Sequence, residues 1–233
     1  LRIIMPGFEK SAKWRTQPFH PLFLERLKHF SPLRFMDMCA VNNSEVSSWS
    51  ERTTLDYATQ STSAGCSFEY MVQLANTLKA DPWFCIPHLA DTEYITNMAN
   101  LIASSLDKDL KCHIEYSNEC WNFSFDQAGY CFSAGALEYG DYLFSSYDEN
   151  ASNYGLTGQQ QRGVRCLAYG QRSVSAFDIF ETAFSGTDRI VRVMADQRGN
   201  FPGHNEMLSG IVSERTEGVF VSAITTNYEK VDK

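Results

Sequence analysis

Glu115-Tyr116-Ser117-Asn118-Glu119-Cys120-Trp121-Asn122 is the stretch on which the reading of this chain turns. It grows out of the mainly apolar run Lys111 to Tyr116, which reads as a strand buried on both faces. Strands of that kind belong to parallel sheets, whose ligands gather at the carboxyl ends. Asn118 and Glu119 are therefore expected to project into a ligand face. Glycoside hydrolysis needs one carboxyl that gives a proton to the leaving oxygen and later takes one from water. A Glu at a strand end, partly desolvated by aromatic neighbours, suits that task. Asn118 can hydrogen-bond a sugar hydroxyl next to the reacting carbon, and Trp121 offers a face on which a pyranose stacks. By itself an Asn-Glu pair is a weak signal, because a Glu at a helix start is equally a dipole partner.

Working outward, five more short runs read as strands: Arg2 to Met5, Leu33 to Met38, Trp83 to Pro87, Arg189 to Ala195 and Val219 to Thr225. Helical patterns lie between them. Phe68, Met71, Leu74, Ala75 and Leu78 share one face. Ile95, Met98, Leu101, Ile102 and Leu106 share another, with Asp91 as N-cap. Val174, Phe177, Phe180 and Phe184 mark a helix that stops at Gly186. Such alternation predicts a parallel α/β sheet, either a barrel or a doubly wound sheet. The segment from about Ala134 to Gly163 is rich in Gly, Ser, Tyr, Asn and Gln and has little periodicity. It reads as a long excursion after the fourth strand, of the kind that shapes a barrel's cleft or merely covers the surface. No repeat or linker divides the chain, so residues 1–233 read as one domain.

Composition narrows the function. The chain is 43% hydrophobic and 21% charged, which is globular, and its net charge of −8 repels phosphate backbones. Nucleic acid is not an expected partner. No apolar run reaches the roughly 18 to 20 residues that cross a bilayer. His20, His29, His88, His113 and His204 show no metal-ligand spacing, and no G-x-G-x-x-G or P-loop follows a strand. No metal or other cofactor is expected. The seven cysteines contain no C-x-x-C pair. Sequons stand at Asn42, Asn122 and Asn150. Cysteines and sequons together fit an extracellular or cell-surface glycoprotein with a few disulfides, although buried free thiols are the alternative. Asn42 and Asn150 are the expected glycan acceptors, since a glycan on Asn122 would obstruct the proposed site.

The stretch 116–122 also resembles the Tyr-Ser-Asn-Glu-x-Trp-Asn signature of a family of large secreted or surface proteins. These are often described as cellulose-binding or glycoside hydrolase-like. Further similarity lies in Met5-Pro6-Gly7, Leu33 to Asp37, Asn42-Asn43-Ser44, Trp49 to Arg52 and Glu69 to Asn76. It continues through Trp83 to Leu89, Phe123 to Tyr130 with Gln127, Val191 to Ala195 and Gln197. The wider relative is the cellulase-like clan of retaining glycosidases. The resemblance implies a (β/α)8 TIM-type barrel with Glu119 as acid/base and Asn118 beside it. It implies Arg34 as support for the nucleophile, and a cleft lined by His88 and Tyr228. Asp37, Trp49 and Trp121 are the remaining candidates for sugar contact. Each has a plainer reading: Arg34 as a structural ion-pair partner, His88 as a core histidine, Trp49 as a lid and Asp37 as a loop cap.

Two departures matter. The clan's nucleophile is a Glu ending strand seven, whereas only six strands are read before Lys233. The expectation is an incomplete barrel, with about six of eight strands in this sequence and strands seven and eight beyond it. Glu229 is not promoted to that role. Cys120 stands where the family has an apolar residue, and it can pack as one or form a disulfide. The functional expectation is thus a retaining glycoside hydrolase-like domain that acts on or binds a β-linked polysaccharide. The competing expectation is a non-catalytic extracellular carbohydrate-binding or structural barrel, which other protein chains would contact.

Overall fold

The computed structural model describes residues 7, 8 and 16–195. Within them the protein is a mixed α/β structure with a four-stranded parallel sheet and five α-helices. The strands are β1 (Leu33–Arg34), β2 (Pro82–Ile86), β3 (Cys112–Tyr116) and β4 (Ile190–Val193), and they lie in chain order β1-β2-β3-β4. The helices are α1 (Pro21–Leu27), α2 (Phe68–Leu78), α3 (Thr92–Ser105), α4 (Asp126–Leu143) and α5 (Gly158–Phe184). The expected strands at Arg2 to Met5 and Val219 to Thr225 lie outside the described residues.

Alternation along the strands gives the sheet two unlike faces. Phe84, Ile86, Ile114 and Tyr116 point one way into the core, where Phe84 meets Phe68 of α2 and Tyr116 meets Tyr169 of α5. Trp83 and Cys85 of β2 point the other way, with His113 and Glu115 of β3. Trp83 stacks on His113 at 5.8 Å, and the Cys85 thiol donates to Glu115. The second face is polar, although the strands that carry it read as apolar.

The helix ends follow local chemistry. The Asp91 carboxylate accepts the Tyr94 N–H at 2.6 Å and caps α3, a bond of about 1 kcal/mol in such positions. α2 ends where Lys79 takes a left-handed conformation, and α5 where Ser185 does the same before Gly186. β1 is shorter than the predicted run to Met38. After Phe35 pairs with Trp83, the Cys39 N–H turns back onto the Phe35 carbonyl and the chain leaves the sheet.

The segment 134–163 is not an irregular excursion. Most of it is the second half of α4 and the start of α5, joined by a tight turn and the 3-10 helix Ser152–Gly155. Its glycines mark close helix contact: a Cβ on Gly135 would collide with the Val164 carbonyl of α5, and one on Gly140 with the Tyr147 ring. Glycine in place of an apolar knob erases the periodic signal while tightening the packing.

All seven cysteines are free thiols, so the free-thiol alternative describes this structure. Burial drives the thiols of Cys39, Cys85 and Cys112 well above their ordinary range, which keeps them protonated and unreactive. No helix among the described residues is long and apolar enough to cross a membrane.

Candidate functional site

β3 delivers its last residue, Tyr116, into the core, and the chain then changes character. Ser117 and Glu119 both take positive φ, 59° and 44°. Non-glycine residues hold that conformation at a cost of about 1–2 kcal/mol each, so neighbours must fix it. The Ser117 N–H still bonds the Ile86 carbonyl of β2 at 2.8 Å, which anchors the turn to the sheet.

Asn118 is the hub. It is 5% exposed, and three of its atoms are engaged. Its Oδ1 accepts from Arg34 Nη2 at 2.9 Å, and its Nδ2 donates to Asn42 Oδ1 at 2.9 Å. Its carbonyl accepts from Gln127 Nε2 at 2.8 Å. Gln127, fully buried near the start of α4, also donates to Asn42 Oδ1 and accepts the Asn43 N–H. The loop after β1 and the turn after β3 are thereby stitched together through one amide side chain.

Glu119 follows as a half-buried carboxylate. Its Oε2 accepts from Asn122 Nδ2 at 3.0 Å, and its carbonyl accepts the Asn122 N–H at 2.9 Å. Such a side chain is oriented without being sealed in, as proton exchange with a bound molecule requires.

Beneath this turn lies an ion pair. Glu115, 1% exposed, receives Arg34 at 2.8 Å, Trp83 Nε1 at 2.8 Å and the Cys85 thiol at 3.4 Å. Arg34 also lies over the Trp83 ring at 5.0 Å. The structural ion-pair reading of Arg34 is thus realised, with Glu115 as its carboxylate partner. Its contact with Asn118 ties the same guanidinium to the site.

The remaining candidates separate. Asp37 is exposed in the turn after β1, where its carbonyl accepts the Ala40 N–H. Trp49 packs between α2 and α3: Phe68 stacks on it, the Tyr94 edge meets it, and the Arg52 guanidinium lies 4.3 Å from its centre. Its ring is engaged by protein. His88 is 3% exposed and packs edge-to-face with Tyr130 of α4 at 5.3 Å. Its Nδ1 has no hydrogen-bond partner among the described residues. Burial lowers its pKa below 6.5, and Arg172 acts in the same direction against Asp126. It sits as a core histidine. Trp121 is half-buried, with its carbonyl bonded to Arg165 Nη1 at 3.2 Å. Asn150 is exposed, whereas Asn42 is half-buried with its Oδ1 accepting from Asn118 and Gln127. Tyr228 lies outside the described residues.

Sequence reasoning gave no role of their own to Glu115, Gln127, Arg165 and Phe123. An acid inside an apolar strand was the available signal for the first, and Gln127's place in the extended motif was the signal for the second. Among the described residues no group of three or more His, Cys, Asp or Glu side chains is placed to hold a metal ion. No family model, curated protein or solved structure matches the chain.

Proposed function

We propose that this chain is a retaining glycoside hydrolase-like domain of the (β/α)8-barrel type, with Glu119 as its acid/base and a β-linked polysaccharide as its ligand. One observation carries the reading. Asn118 and Glu119 stand at the carboxyl end of a central parallel strand, where Arg34 from β1 and Asn42 from the following loop fix the Asn. Ligands of parallel α/β folds bind at that end. The strictly sequential strand order fits a barrel better than a doubly wound sheet, whose order reverses at a switch point.

In this reading Glu119 protonates the leaving glycosidic oxygen while a second carboxylate, from sequence outside the described residues, attacks the anomeric carbon. Glu119, now a carboxylate, takes a proton from the water that releases the sugar. Asn118 keeps one amide hydrogen beyond its bond to Asn42 for a sugar hydroxyl. Protein at the cell surface or outside the cell would meet such a polymer.

The non-catalytic barrel is the second reading, and the Asn122 bond to Glu119 favours it: a carboxylate tied within its own turn also serves as a turn brace. Hydrolysis of aryl β-glycosides by the full-length protein and its Glu119→Gln variant separates the two. The expected loss is roughly 10²- to 10⁴-fold. Equal rates, or no rate from either, remove the enzyme reading. Polysaccharide binding without turnover selects the second.

A further inference from the structure

Cys120 lies in the turn after β3 and is almost wholly buried; Cys131 lies on α4 and is fully buried. Both belong to the main hydrophobic core. Gln127 Nε2 donates to the Asn118 carbonyl at 2.8 Å, which lays the first turns of α4 against this loop. Cys131 stands one helical turn beyond Gln127 on the same face, and Cys120 two residues beyond Asn118. There the Cys131 thiol is hydrogen-bonded to the Cys120 sulfur. Three other thiols are engaged elsewhere. Cys39 donates to Met71 Sδ at 3.8 Å, Cys66 to Gln60 Oε1 at 3.6 Å and Cys85 to Glu115 Oε2 at 3.4 Å. Cys85 and Cys112 occupy neighbouring strands, but Cys85 pairs with Glu115 and Cys112 with Ile190. They point to opposite faces of the sheet and cannot be bridged.

We infer that Cys120 and Cys131 are a modification site: a disulfide joins them and braces the turn that carries Asn118 and Glu119 against α4. The turn has need of a brace, because Ser117 and Glu119 hold positive φ and neighbours must fix them. The oxidant is a small disulfide such as oxidised glutathione. A thiolate of one cysteine attacks it, forms a mixed disulfide and expels one glutathione thiolate. The second cysteine attacks the mixed disulfide and expels the other. Two protein S–H bonds are lost and one S–S bond is gained; the two electrons and two protons end on two glutathione thiols. The exchange runs through a thiolate. The hydrogen bond to Cys120 and burial raise the Cys131 pKa, and the guanidiniums of Arg172 and Arg165 oppose them without prevailing. Cys131 is thus kept protonated in the closed fold. Exchange therefore proceeds when the turn opens locally, and the same burial shields the finished disulfide from reductant.

The pairing holds whether or not Glu119 is an acid/base, and its test needs no sugar. The full-length wild-type protein is held overnight a few degrees below its thermal midpoint in a buffer of oxidised and reduced glutathione, so that local opening admits the oxidant. Remaining thiols are then alkylated under denaturing conditions, and the protein is cleaved with chymotrypsin without reduction. Cleavage after Tyr116, Phe123 and Phe125 separates Cys112, Cys120 and Cys131 onto different peptides. The expected result in the mass spectrum is the Cys120 peptide linked to the Cys131 peptide, two hydrogens lighter than their sum. Both cysteines alkylated, or either one linked mainly to another cysteine, overturns the pairing. The thermal midpoint of the oxidised wild type is expected to lie roughly 5 °C or more above that of the reduced protein. Cys120→Ala and Cys131→Ala are expected to show one midpoint with or without reductant. An oxidised wild type no more stable than the reduced one overturns the bracing role.

Discussion

His88 shows what a single buried side chain contributes. Its ring is packed against Tyr130, with Nδ1 unpartnered among the described residues, so the fold favours the neutral imidazole. Burial is the main cause of the lowered pKa; Arg172 adds to it and Asp126 opposes it. Stability is therefore complete above the ordinary value of 6.5, falls as the pH drops below it and levels off beneath the folded-state pKa. Urea midpoints measured from pH 8 to pH 5 are predicted to decline over the acid half of that range. His88→Gln is predicted to flatten that part of the curve, and an unchanged slope would count against the buried neutral histidine. At this scale the sequence was partly legible. Asn118 and Glu119 stand at a strand end as read from their context. The hub around Asn118 was not legible, because its bonds join residues far apart: Arg34 and Asn118 are 84 positions apart, and Asn42 and Gln127 are 85. Spacing rules reach a few residues and say nothing of such pairs.

The helices show where periodicity succeeds and fails. α2 and α3 each bury one stripe, and their predicted extents match those observed within a few residues. α4 and the first half of α5 instead carry glycine and alanine at their mutual contact, with the neighbouring polar residues exposed. Their pattern gives no clear stripe. The prediction belongs to that contact. Gly135→Ala gains about 1 kcal/mol in helix propensity, but the new methyl meets the rigid Val164 backbone. Overpacking costs about 1–3 kcal/mol, and a methyl driven into rigid backbone belongs at the upper end. Thermal or urea denaturation is therefore predicted to show a net loss of about 2 kcal/mol, whereas a neutral or stabilised variant would mean that α4 and α5 are not so closely apposed. The contact matters for the site because α4 carries Gln127 at one end and α5 carries Arg165, which grips the turn after Glu119.

For the whole molecule, the parallel pairing of the strands, and the helices α2, α3 and the end of α5 that follow them, were legible from alternation, whereas the strand order and α4 were not. Nor was the polar face of the sheet. Trp83, His113 and Glu115 sit in strands that look apolar, and nothing local reveals that Glu115 and Arg34 neutralise each other across two strands. This face, with Arg34, Trp83, Cys85 and Glu115 meeting one another, is where the centre of a closed barrel would lie. The most direct measurement of the central proposal is an experimental structure of the full-length protein with a β-linked oligosaccharide bound. The predicted result is the sugar lying over the turn after β3, with a second carboxylate about 5–5.5 Å from that of Glu119. A sheet that does not close, or a Glu119 carboxyl facing no acid and no sugar, would contradict it.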